Sequence, residues 1–250
     1  MRLKLYLSIL AEPPLLALLA ASLVSWIVLF AIGDHMHSAG HNHDHMHMAT
    51  IAIGPLLTRS AWPWFVMVLA MMSPLQSHAI RHLWVRSLTR RRWRAIFVFA
   101  VGYLAVWIVV GAVFVLSAEL LNMYLPASVA LLVGVVLAVV WQASPWKQHG
   151  LNRCHYVARL SAFGIAADKD CLRYGVVKGS WCVSSCWALM FVPLVAGSFG
   201  MALMLLVTVY LFIEHFQSAR PAKWRLPFVS NLPGNERYWA LSTAGRHPDR

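Results

Sequence analysis

Charged side chains are scarce in this sequence: 12% of its 250 residues are Asp, Glu, Lys or Arg, while 60% are hydrophobic. A soluble domain carries about 25% charged residues. So few charges cannot solvate the surface around so large an apolar fraction, which excludes an ordinary soluble domain and reads as a membrane protein. Acids are rarer still, nine against 21 Lys and Arg, for a net charge of +12. In a soluble protein that excess would point to nucleic acid. Here the basic residues fall between long apolar runs, so nucleic acid is not an expected partner and the lipid bilayer is. Four cysteines are too few to staple a secreted scaffold, so each is read by position. No nucleotide-binding loop is present and no charged relay runs through the apolar segments, which excludes an ATP-driven pump. No evident acid–base pair marks a catalytic centre either, so no catalytic residue is expected.

Six apolar segments fill most of the chain. Leu15 to Ile32 is uninterrupted, opened by Pro13-Pro14 and closed by Gly33. It exceeds a signal-peptide core and lacks a clear cleavage site. Ala61 to Ile80 begins apolar and turns polar at Ser73, Pro74, Gln76, Ser77 and His78. Such residues are tolerated at membrane depth only under cover of other protein, so this segment is expected to face the bundle interior. Ala95 to Ser117 and Leu125 to Ala143 follow, separated by a short turn over 118–124. About Ser180 to Gly197 and Phe199 to Ile213 form the last pair, reversed at Gly197-Ser198.

The expected fold class is therefore all-α, a polytopic membrane protein with six transmembrane helices over residues 1–216 and a cytoplasmic tail over 217–250. With both termini on the same side as loops 81–94 and 144–178, that side holds 20 of the 21 Lys and Arg, Arg59 being the exception. Basic residues concentrate in cytoplasmic loops. The termini are thus placed in the cytoplasm and loop 33–60 outside. The arginine run at 90–94 reads as a topology signal and a headgroup contact.

The external loop concentrates metal donors: His35, Met36, His37, His41, His43, His45, Met46, His47 and Met48 lie within fourteen residues. Imidazole and thioether suit copper, and imidazole alone suits zinc or another transition metal, whereas hard cations want carboxylates. Copper is preferred because Met adds affinity for Cu(I). Free imidazole titrates near pH ~6.5, so capture is expected to weaken in mild acid. A polar loop that binds nothing is the bland alternative.

A second set of donors lies within the apolar segments. Cys182 and Cys186 are one helical turn apart, and Met190 continues their face. Met67, Met71, His78 and His82 share a face of the second segment, with Met72 beside them. The second segment ends, and the fifth begins, on the cytoplasmic side, so these donors are expected at similar depth, with Glu214 and His215 at about that level. Buried Cys and Met stripes are commonly packing, yet polar groups within a membrane are costly and default to function. Cys154 and Cys171 read as ordinary cytosolic thiols, with a metal hand-off point as the alternative.

Several blocks resemble a bacterial family of inner-membrane proteins described as predicted metal-binding integral membrane proteins, sometimes labelled copper chaperones. They are Met67-Val-Leu-Ala-Met-Met-Ser-Pro74, Arg81-His82, Arg86 to Arg94, Phe99 to Trp107, Trp141 to Lys147 with Cys154, and Gly179-Ser-Trp-Cys-Val-Ser-Ser-Cys-Trp-Ala-Leu-Met190. The resemblance covers roughly residues 61–216. It departs from the family pattern at Lys178, where a His is usual, and at Ser77-His78, where a Pro is common. It implies metal binding and an inner-membrane location.

Together these features indicate an integral membrane protein that captures copper on the external loop and holds or passes it through Met71, Met72, His78, His82, Cys182, Cys186 and Met190. A metal-donor or acceptor protein is a further expected partner. Two rivals stay open: an accessory subunit of a larger membrane complex, and a membrane metalloenzyme or thiol-redox protein.

Overall fold

The computed structural model describes residues 12–39, 53–154, 157–215 and 223–224, and among these no strand occurs. The helices are α1 (Pro13–Ala39), α2 (Ile53–Met72), α3 (Ser77–Arg86), α4 (Arg92–Tyr124), α5 (Ala127–Ala143), α6 (Pro145–Cys154), α7 (Gly164–Val195) and α8 (Gly200–His215). The six expected apolar segments are all helical, but length and composition qualify fewer of them to cross a membrane. Three do so outright, in α1, α4 and α7, and α5 with α6 would make a fourth, broken by a 69° bend. The apolar part of α2, Ala61–Met72, and α8 are shorter.

Element boundaries depart from the sequence reading where local chemistry overrides hydropathy. Helix α1 continues through Gly33 to Ala39, and α2 starts at Ile53, so the expected loop 33–60 is helical at both ends. Helix α2 stops at Met72, and Pro74 opens a 3₁₀ turn over Pro74–Gln76. A proline has no N–H to continue the ladder, so the polar stretch breaks the segment in two. The turn expected over 118–124 is instead the last part of α4, because Pro126 is the first residue that disfavours helix. It drives Leu125 to an extended φ of −123° and ψ of 145°. The expected loop 144–178 contains α6 and the first half of α7. Helix α7 begins at Gly164, whose φ of +69° suits glycine, and α7 runs unbroken into the expected fifth segment. The expected reversal at Gly197 is present, with φ of +54°.

Helix α7 is the centre of the assembly and packs on α4, α5, α6 and α8. Its closest approach is to α4, where Gly175 lies against the Phe99 carbonyl and Gly102 against the Leu172 carbonyl, so that a Cβ at either would collide with backbone. Small residues at a crossing let two helices pack backbone to backbone. Side chains tie the other helices in. Ser22 Oγ donates to Ala70 O at 2.7 Å, joining α1 to α2. Trp64 Nε1 donates to Trp107 O at 3.0 Å, joining α2 to α4. On the basic side, Arg91 and Arg94 grip Asp168 at 2.5 and 2.6 Å.

The polarity of this bundle is reversed relative to a water-soluble one. Val109 and Val113 on α4, Val136 and Val140 on α5 and Leu206 and Val209 on α8 are exposed, while Gln76, Lys147, Lys178, Ser185 and Glu214 are buried. An exterior so apolar is compatible with membrane insertion.

Candidate metal centre

Residues four apart on α7 stack on one face, which brings Lys178, Cys182 and Cys186 into line, and that face is buried. Cys182 Sγ lies 3.7 Å from Met72 Sδ, at the last residue of α2. Tyr103 of α4 donates its hydroxyl hydrogen to Cys182 Sγ at 3.3 Å and accepts one from Gln76 Nε2 at 3.0 Å. Cys186 Sγ donates to the Cys182 carbonyl at 2.9 Å. Four separate elements therefore fix one sulfur: α7 carries it, α2 supplies a thioether, α4 a hydrogen bond, and the 3₁₀ turn orients that donor.

Beside these sulfurs is a cavity of about 20 Å³ lined by Gln76, Cys154, Lys178, Cys182, Cys186 and Glu214, among others. That is room for about one water molecule or one metal ion. Gln76 Oε1 and Glu214 Oε2 are buried acceptors with no hydrogen-bond partner among the described residues. Lys147 on α6 pairs with the other oxygen of Glu214, both side chains being buried. Lys178 Nζ donates to the carbonyl of Cys154, whose Sγ lies 3.7 Å from Ser185 Oγ. The sulfur donors fit a soft cation, whereas the two oxygen acceptors are hard donors and suit a water molecule in the cavity.

The other sequence candidates lie as follows. Met71 and Met190 are fully buried in the same apolar core as Met72, Cys182 and Cys186. His78 is exposed, and His82 turns to the Ala158 carbonyl at 3.0 Å, with its ring edge-on to Tyr174. Among the described residues no three His, Cys, Asp or Glu side chains gather in a metal-binding group, so the two histidines do not complete a four-donor cluster with the cysteines. His35, Met36 and His37 sit on the last turns of α1, and His41, His43, His45, Met46, His47 and Met48 lie outside the described residues.

Five participants were not singled out as site residues from sequence. Lys147 and Lys178 read as loop charges but are buried at 3% and 4% exposure, which puts them inside the site rather than at a headgroup. The signal for Lys178 was its place in the four-residue series with Cys182 and Cys186. Tyr103 and Gln76 carry no sequence signal that links them to α7. Cys154, read as a cytosolic thiol, is also buried on the cavity wall.

A family model described as PpoB2, copper chaperone, matches residues 61–229. The chain belongs to the PpoB2 copper-chaperone family. No curated protein and no solved structure matches it. The part of the chain matched by the copper-chaperone model contains the whole cavity wall and every sulfur of the α2–α7 contact. It begins after the His/Met segment at 35–48. Copper handling is the function this family indicates, and the sulfur donors agree with it.

Proposed function

We propose that this copper-chaperone family member is a multi-pass membrane protein, with its termini and arginine-rich loops on the cytoplasmic side, that carries Cu(I) as cargo on Cys182, Cys186 and Met72. The observation that carries this reading is the 3.7 Å approach of the Cys182 and Met72 sulfurs in a closed core beside a one-atom cavity. Cu(I) favours soft thiolate and thioether ligands, and among the described residues no three carboxylates gather into a hard site for a competing ion. Tyr103 holds the Cys182 sulfur by its hydrogen bond, and Gln76 holds Tyr103. Ligand orientation by a surrounding shell of this kind is what tunes a metal site. Each thiol that takes up Cu(I) releases its proton to water. Histidines and methionines at 35–48 would gather copper on the outer face, and Met71 and Met190 would line the way to the thiols. Cys154, at the end of α6, would then accept the cargo on the cytoplasmic side for a partner protein.

Competition of the detergent-solubilised full chain against a chromophoric Cu(I) chelator tests this. Cys182→Ser with Cys186→Ser is expected to lose at least about a hundredfold in Cu(I) affinity, taking each buried thiolate as worth more than about 1.4 kcal/mol, or tenfold. Met72→Leu keeps the volume and is expected to lose less. Affinity unchanged in the double serine variant would overturn the proposal.

A further inference from the structure

A second feature lies on the other side of α7 from the thiols. Arg153, residues 157–159 and the outer face of α7 line an open groove of about 870 Å³. Its lining carries Arg153, Arg159 and Arg173, and its floor is apolar, made by Val176, Val177 and Trp181. None of these three arginines forms an ion pair among the described residues. Asp170, the one acid on the lining, accepts from the backbone N–H and hydroxyl of Ser161, at 2.9 and 2.6 Å, and also interacts electrostatically with Arg173, so one acid faces three arginines. The Arg153 guanidinium sits over the Trp181 ring, 5.2 Å from its centroid, which holds the charge against the apolar floor.

We infer that this groove binds an anionic phospholipid, with the phosphate among Arg153, Arg159 and Arg173 and an acyl chain along Val176, Val177 and Trp181. The inference rests on the membrane reading above. A free anion would use the arginines but not the floor, and a zwitterionic lipid would use the floor but leave the arginines in excess. Only an anionic amphiphile matches both. Trp at the boundary between a basic rim and an apolar helix is the arrangement found at membrane interfaces, and basic pockets between helices on the cytoplasmic side select acidic headgroups. Arg173, Val176, Val177 and Trp181 follow one another along a helix long and apolar enough to cross the bilayer, so the groove opens from rim to hydrocarbon.

Native mass spectrometry of the full chain, released from micelles doped with equal phosphatidylglycerol and phosphatidylcholine, reads the selection directly. The wild type is expected to retain phosphatidylglycerol in preference by roughly a hundredfold, taking about fivefold per arginine. Arg153→Gln with Arg159→Gln and Arg173→Gln should abolish that preference. Arg86→Gln with Arg90→Gln, which lie outside the groove, should leave it intact. Equal retention of the two lipids by the wild type overturns the inference, as does an unaltered preference in the triple variant. Displacement of the lipid by millimolar inorganic phosphate would show a free-anion site and overturns it too. Alkaline extraction of cell membranes separates the two levels. A chain that stays in the pellet but lacks groove-dependent selection defeats only this inference, whereas a chain that washes off defeats the membrane reading itself.

Discussion

Helices α4 and α7 are both long enough to cross a membrane, but they use their length in opposite ways. The most apolar stretch of α4 is only 28% buried, whereas that of α7, the less apolar of the two, is 56% buried. In a water-soluble protein the more buried helix would be the more apolar. The inversion is compatible with an apolar surround for α4, and it leaves α7 as the helix whose polar groups are covered by protein. It also accounts for the buried polar side chains of α7, Lys178 and Ser185, which lie beside the candidate thiols. Lysine and serine side chains are costly in hydrocarbon and are retained only where protein covers them. Helix α4 supplies that cover, through the close crossing at Gly102 and Gly175 and through Tyr103, its one side chain hydrogen-bonded to a thiol.

The contrast can be broken most severely at the buried ion pair beside α7. Lys147→Met removes the partner of the buried Glu214 and is expected to cost about 3–5 kcal/mol in thermal or denaturant unfolding of the solubilised protein. Adding Glu214→Leu should recover most of that loss, and failure to do so would mean the pair is not isolated inside the bundle. Next in size is a charge on the outward face of α4. Val109→Lys is expected to raise the cost of membrane insertion by about 3 kcal/mol in a glycosylation-reporter assay, while Lys178→Met on α7 leaves insertion unimpaired.

Two smaller effects sharpen the comparison between the buried site and the His/Met segment. A peptide of residues 33–50 should bind copper about tenfold more weakly per coordinating imidazole at pH 5.5 than at pH 7.5. A free imidazole of pKa ~6.5 is mostly protonated at the lower value and must lose that proton to bind. An affinity equal at the two pH values would remove histidine from the account of that segment. Tyr103→Phe deletes the hydrogen bond to Cys182 and should weaken Cu(I) binding by about fivefold, near 1 kcal/mol, without altering the helical content seen by circular dichroism.

Much of the helical layout was legible in the sequence, because apolar runs and their breakers act locally. Gly197 announced the reversal before α8, whereas Ala61 to Ile80 reads as one segment in sequence and the structure breaks it at Pro74. The overextended turn at 118–124 and the late start given to α7 have one cause. Hydropathy marks where a helix is apolar, but capping and proline decide where it ends, and α7 starts at Gly164 through residues too polar to read as a span. The thiol pair was legible from its four-residue spacing, and Met72 from its place in the Met-Met-Ser-Pro block. Tyr103 and Gln76 were not, since their relation to Cys182 depends on how α4 and the 3₁₀ turn dock on α7, a contact between residues 79 positions apart for Tyr103. The burial of Lys147 and Lys178 was hidden for another reason: a basic residue flanking an apolar run signals orientation whether its side chain points outward or inward.

The central claim is that copper is held by sulfur from α7 and α2. Copper K-edge absorption of the Cu(I)-loaded full chain, carrying a deletion of residues 35–48 so that only the interior site remains, measures this directly. The account predicts a first shell of sulfur alone, lost together with bound copper in Cys182→Ser with Cys186→Ser. A shell dominated by nitrogen or oxygen, or a sulfur shell that survives that double substitution, would contradict it.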